Sequence, residues 1–92
     1  MNALTLDSIP KLPRGVRLKH DELRGEWLLL APERIIKPNT VAVEVLKRCT
    51  GSATLAEIID DLSISFAADR ARIEADVRVL IGDLAQKRLL DV

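Results

Sequence analysis

The chain has no tyrosine, one tryptophan and one phenylalanine, Trp27 and Phe66. Stacking platforms for bases or flavins need several aromatic faces, so neither ligand class is expected. Trp27 reads as a core residue of a strand. One cysteine, Cys49, excludes an intrachain disulfide and a multi-cysteine metal site. It reads as a small buried helix residue. His20 is the only histidine. A nucleophile–base pair with Cys49 needs the two side chains in contact. One falls at a strand end and the other on an apolar helix face, so His20 reads as a solvated strand-end residue. The four glycines, at 15, 25, 51 and 82, are isolated and build no phosphate loop. Asp60 and Asp61 are adjacent, and on a helix they point about 100° apart rather than converging as paired acids.

Charge of one sign is missing too. Lys+Arg and Asp+Glu number 14 each, giving a net charge of zero. That weighs against nonspecific nucleic-acid binding, although a local basic patch can hide in a neutral total. No apolar stretch approaches a membrane span. The first ten residues hold no basic cluster followed by an apolar run, so no secretory signal is expected. A reducing cytoplasm is the expected setting.

What remains is apolar and ordered. With 92 residues, 48% of them apolar and 30% charged, the chain suits one small globular domain. Residues 1–14 carry two prolines and no period, and read as a flexible N-terminal arm. Its Leu4, Leu6, Ile9 and Leu12 can dock if a surface offers itself. From Val16 to Asp21 apolar and polar residues alternate, the pattern of a half-buried strand. Gly25 closes the turn that follows. Glu26–Ala31 forms a second strand and Arg34–Lys37 a third. Pro32 suits a tight primed turn poorly, so a wider connection is expected. Pro38 ends the third strand and fits a sheet edge.

The rest has helical period. Asn39 or Thr40 caps a helix running to about Cys49, with Ala42, Val45, Leu46 and Cys49 on one face. Gly51 sits where a C′ residue belongs. Thr54 to Glu57 is a capping box. It opens a helix with Leu55, Ile58, Ile59 and Leu62 inward. Ser63 to Asp69 reads as a loop with Phe66 as its hydrophobic pin. Asp69 opens a third helix through Lys87, striped by Ile73, Val77, Leu80, Ile81 and Leu84. The closing Leu89–Val92 tail can cover the core. The expected fold class is α+β, winged helix-turn-helix-like, a three-stranded antiparallel sheet followed by three helices. Residues 15–92 are its single domain.

Leu28, Leu29 and Leu30 are consecutive, so the second strand is apolar on both faces. One face packs the helices. The other is covered by a partner, by a second copy, or only by the arm. The third strand lies at an edge with unpaired N–H and C=O groups. An extended peptide can add there, with Ile35 or Ile36 and Val77, Leu80, Ile81 and Leu84 as groove wall. Those helix residues equally suit plain core. Arg34, Lys37, Arg72 and Arg78 can attract acidic side chains. The alternative is a winged-helix DNA-binding regulator reading DNA with Arg70, Arg72, Arg78, Lys87 and Arg88. Interleaved Asp69, Glu74, Asp76 and Asp83 weigh against it. A homo-oligomer exchanging its edge or arm is a third class.

The segment Gly15 to Glu33 resembles the signature of the PqqD family. The likeness rests on Gly15-Val16-Arg17-Leu18, Asp21, Arg24-Gly25, Trp27, Leu29-Leu30 and Pro32-Glu33. Leu55–Leu62 and Ile73–Leu84 also fit. It covers about Leu12 to Val92. The resemblance implies a peptide chaperone of pyrroloquinoline quinone biosynthesis, a recognition element for ribosomally made, modified peptides. It implies binding of the precursor peptide PqqA and its presentation to the radical SAM enzyme PqqE, with no cofactor, no metal and no catalysis by the chain itself. It implies no nucleic-acid partner. Asp21, Arg24 and Gly25 either hold the sheet or face the enzyme. Some relatives are fused to pathway enzymes, and this chain is expected to stand alone.

Overall fold

The computed structural model describes residues 4–92. Three strands precede three helices, β1 (Arg17–Asp21), β2 (Glu26–Ala31), β3 (Arg34–Ile36), α1 (Thr40–Arg48), α2 (Leu55–Ser65) and α3 (Arg70–Gln86). The α+β class and the element order are those the periodicities predict.

The strands form one antiparallel sheet in the order β1-β2-β3. Leu29 stands opposite Leu18 on one side and Ile36 on the other. All three face the helices, and Leu29 is 1% exposed. By the two-residue period, Leu28, Leu30 and Ile35 point the other way. The Asp21 carboxylate accepts from the N–H groups of Leu23 and Arg24 in the first turn, and Gly25 closes it at φ +65°. The second connection differs from expectation. Ala31 pairs with Arg34, so only Pro32 and Glu33 link the strands. Neither has positive φ, so the turn is not primed. Unprimed two-residue turns splay their strands, and β3 ends at Ile36, before Lys37.

Each helix start is capped differently. The Asn39 side chain accepts from the Ala42 N–H at 2.8 Å. Thr54 and Glu57 make the full reciprocal capping box. Asp69 occupies the third N-cap without a side-chain bond. Helix α2 runs through Ser65, where the sequence suggests a loop, and Phe66 is its C-cap, 37% exposed rather than a pin in the core. The helix ends without glycine. Ala67 takes φ +48°, its N–H donates to the Ile64 carbonyl, and the Ala68 N–H donates to Ser63. This is a Schellman closure. Helix α3 ends likewise, with Arg88 at φ +60° and the Leu89 N–H on the Leu84 carbonyl. Leu89 and Leu90 then bury themselves against the core.

The core joins Leu29 to Val45, Leu46, Leu55, Ile58, Ile59, Leu62, Val77, Ile81 and Leu84. Residues 1–3 of the expected arm lie outside the described residues. Residues 4–14 run along the helices. The Ser8 and Leu6 carbonyls accept from the N–H groups of Leu55 and Ala56, the first two of α2, at 2.7 and 3.0 Å. The Thr54 hydroxyl takes the third, Glu57. The donors a helix leaves orphaned at its start are thus satisfied. Lys11 exchanges both backbone bonds with Asp91, and Gly51 donates to Pro10. Gly51 is therefore the arm's seat more than a helix C′ residue. Its φ is +83°, and an added Cβ would lie 3.1 Å from the Lys11 side chain.

Candidate functional site

An antiparallel strand bonds through one side at alternate residues and through the other at the rest. β3 has β2 on one side and no strand on its other side among the described residues. The arm, an extended segment that could have filled that side, directs its bonds to α2, the Gly51 turn, the tail and α3 instead. The Arg34–Ile36 backbone is thus an open rim.

The candidate residues separate by burial. Ile36 and Leu80 are half-buried at the margin of the core. Val77, Ile81 and Leu84 lie inside it, at 1%, 0% and 6% exposure, and hold α3 in place. Ile35 is 68% exposed and stands on the outward sheet face. Val79 on α3 is also exposed.

The cations divide in the same way. Arg34 and Arg72 are exposed and lie in no ion pair among the described residues. Lys37 Nζ is 3.6 Å from Glu26. Arg78 Nε donates to Glu74 at 2.9 Å, and its Nη1 donates to the Leu4 carbonyl at 3.0 Å, fastening the arm to α3. Arg70 is likewise shared between Asp60 and Glu74. Two arginines of a supposed DNA-reading helix are thus engaged with carboxylates. Sequence reasoning had no signal for the Arg78–Leu4 bond, which joins groups distant in the chain.

Asp21, Arg24 and Gly25 build the first hairpin turn, and Arg24 also lies 3.9 Å from Glu26. His20 is exposed and its ring centroid sits 4.8 Å from that of Trp27, and Lys47 Nζ lies 4.8 Å from the centroid of the Trp27 ring. Trp27 is therefore a half-buried bridge between the sheet and α1. Cys49 is buried, its thiol donates to the Val45 carbonyl, and burial pushes its pKa up to about 12. His20 and Cys49 do not meet. Among the described residues no three His, Cys, Asp or Glu side chains gather as metal ligands. No described helix is long and apolar enough to cross a membrane.

An open strand edge adjoins the folded helical trio, and comparison with known proteins gives the chain a family. Residues 26–90 match the family described as Coenzyme PQQ synthesis protein D (PqqD). A protein of Xanthomonas oryzae pv. oryzae named PqqA binding protein is 49% identical over 90 residues, 98% of each chain. One of Rhodopseudomonas palustris with the same name is 48% identical over 83 residues, 90% of this chain and 81% of the relative. The solution structure of the PqqD part of Methylobacterium extorquens PqqCD, described as a functional, stand-alone recognition element for ribosomally synthesised, modified peptides, superposes with a TM-score of 0.82 at 44% identity over 98% of this chain and 96% of that one. The crystal structure of PqqD from Xanthomonas campestris superposes at 0.61, also at 44% identity, over 98% of this chain and all of that one. With a shared sequence along nearly its whole length and a shared arrangement of sheet and helices, the chain belongs to the PqqD family.

Proposed function

We propose that this chain is a peptide chaperone of pyrroloquinoline quinone biosynthesis that binds the precursor peptide PqqA by strand addition to β3 and presents it to the radical SAM enzyme PqqE. The single observation carrying the binding mode is the unpartnered side of Arg34–Ile36. The names of the relatives, PqqA binding proteins, support the choice of peptide. Backbone bonds along the rim supply affinity, and alternate peptide side chains meet Ile36 and Leu80. Arg34 and Arg72 attract acidic peptide side chains, with Lys37 available once Glu26 releases it. The buried Val77, Ile81 and Leu84 set the position of α3 and act through it. Arg78 acts through the arm. The chain contributes no chemistry or cofactor. It raises the local concentration of substrate at the enzyme, to the order of millimolar for a short linkage. Asp21, Arg24 and Gly25 shape the hairpin end that faces the enzyme.

Titration of labelled chain with synthetic PqqA tests the binding mode. The expected result is saturable binding with the largest amide shifts along Arg34–Lys37 and near Leu80. Leu80→Ala and Ile36→Ala are each expected to weaken binding about five- to tenfold, as loss of about 1 kcal/mol of apolar contact implies. No heat of binding, or shifts confined to the opposite edge on β1, overturns the reading. Mobility shifts of duplex DNA that weaken steeply with salt would instead support the regulator.

A further inference from the structure

A three-stranded sheet has two edges, and among the described residues both lack a further strand. β3 is open on one side of the sheet and β1 on the other. No other described segment bonds to the β1 backbone outside its pairing with β2. β1 and β3 are both antiparallel to β2, so they run in the same direction. A second copy of the chain can therefore lay its β3 along β1, and a third copy can repeat the step. Such a head-to-tail contact does not close on itself and grows into a filament. Any sheet that keeps an edge open for a foreign strand carries this hazard. The residues on the two edges bear on it. Leu18, Leu29 and Ile36 form one row across the inward face. The register that continues this row sets Ile36 of one copy beside Leu18 of the next. Because the strands run the same way, it also sets Lys37 beside Lys19 and Ile35 beside Arg17. Arg17 and Lys19 are exposed, and neither is in an ion pair among the described residues. Nearby carboxylates do not offset them. Asp21 accepts from its own turn, Glu22 lies in that turn, and Glu26 is shared between Lys37 at 3.6 Å and Arg24 at 3.9 Å. Like charges side by side on paired strands destabilise the pair, and Arg17 would lose water against Ile35.

We infer that Arg17 and Lys19 decide which strands this sheet accepts: they keep β1 from pairing with β3 of another copy, and so keep the β3 rim free for the peptide. Lys37 acts on both sides of the distinction. It repels Lys19 of another copy and attracts an acidic side chain of a foreign strand. The rim thus separates an acidic peptide from the chain's own basic edge. This last link rests on the strand-addition reading of the preceding subsection, whereas the exclusion of β1 does not.

Light scattering across a dilution series, together with amide hydrogen exchange, tests this on the full chain. Arg17→Val/Lys19→Glu turns the repelling pair into a complementary one and places a valine beside Ile35. Its apparent mass is expected to rise with concentration to at least three times that of wild type, beyond a closed dimer. The amides of β1 and β3 are expected to exchange at least tenfold more slowly than in wild type. Adding Lys37→Glu restores like charge and is expected to return the mass to the wild-type value. The inference is overturned if the double variant keeps the wild-type mass, or if the triple variant associates as strongly as the double. It is also overturned if association leaves exchange at β1 and β3 unchanged. The last two outcomes identify a variant that associates merely because it misfolds. Dispersal of the assembled double variant by PqqA supports the shared rim, and peptide that binds wild type but leaves the assembly intact overturns it. Should wild-type chain bind no PqqA, strand addition falls, while scattering and exchange still judge the exclusion of β1 by the same outcomes.

Discussion

Two extended segments flank the helices of this protein, and they are in opposite states. The arm, residues 4–14, has its backbone bonds matched by the α2 N-terminus, Gly51 and Asp91. The strand β3 has β2 on one side and an open rim on the other. Both carry or adjoin prolines and both show exposed apolar side chains, Leu6 and Ile9 in the arm and Ile35 in β3. Local sequence therefore does not distinguish them. What differs is whether another part of the chain offers complementary donors and acceptors. The arm is part of the folded structure, while one side of β3 has no strand partner among the described residues.

The sharpest way to break this contrast is to remove one segment and perturb the other. Deleting residues 1–11 uncaps α2, frees Asp91 and removes the buried Pro10, and is expected to cost about 3 kcal/mol in denaturant titration, at about 1 kcal/mol or less per net hydrogen bond. Ile35→Asp, on the exposed side of the open strand, is expected to move stability by no more than about 0.5 kcal/mol. Equal effects would erase the distinction.

A smaller effect separates the two roles open to Arg78. Arg78→Ala loses the Glu74 pair and the Leu4 carbonyl, and is expected to lower stability by about 1 kcal/mol. PqqA affinity is expected to stay within threefold, and a tenfold loss in calorimetry would assign the side chain to the peptide.

Smaller again is a gain. Ala67 sits in the left-handed region at φ +48°, where an L side chain is disfavoured. Ala67→Gly is expected to raise stability by about 0.5 kcal/mol, the relief of strain being partly offset by the greater freedom of glycine in the unfolded chain.

The smallest effect is one of pH. The Thr54 N–H, and then its hydroxyl, hold the Glu57 carboxyl below its ordinary 4.5. A lowered folded-state value means the carboxylate adds stability above the ordinary glutamate range, and the contribution is lost as pH falls through the lowered value. Thermal midpoints of wild type and Glu57→Gln are expected to differ slightly at neutral pH and to converge in acid. A gap that persists in acid would remove ionisation from the account.

Where the sequence was legible, the reason is local. The stripes of α2 and α3, the Thr54–Glu57 box and the alternation of β1 are short-range patterns, and the structure keeps them. The end of α2 was not legible, because its usual glycine is replaced by Ala67, and Phe66 reads as the hydrophobic pin of a loop. The short Pro32–Glu33 turn differs from expectation because Ala31 pairs directly with Arg34, leaving two residues to link the strands, and β3 is only Arg34–Ile36. In the candidate site, the rim at Arg34–Ile36 followed from strand order and length. The division of its neighbours did not. Periodicity groups Val77, Leu80, Ile81 and Leu84 on one stripe, and packing alone leaves Leu80 half-exposed.

The sequence by itself determined the order of strands and helices, the α2 cap and the double-sided apolar character of β2, since each depends on residues within a turn or two of one another. Tertiary structure alone decided which extended segment is saturated and which is open, that Arg78 serves the arm, and that Leu28 and Leu30 face away from the helices toward solvent. Those outcomes depend on hydrogen bonds and contacts between groups far apart in the chain, and a local pattern carries no record of its distant partner.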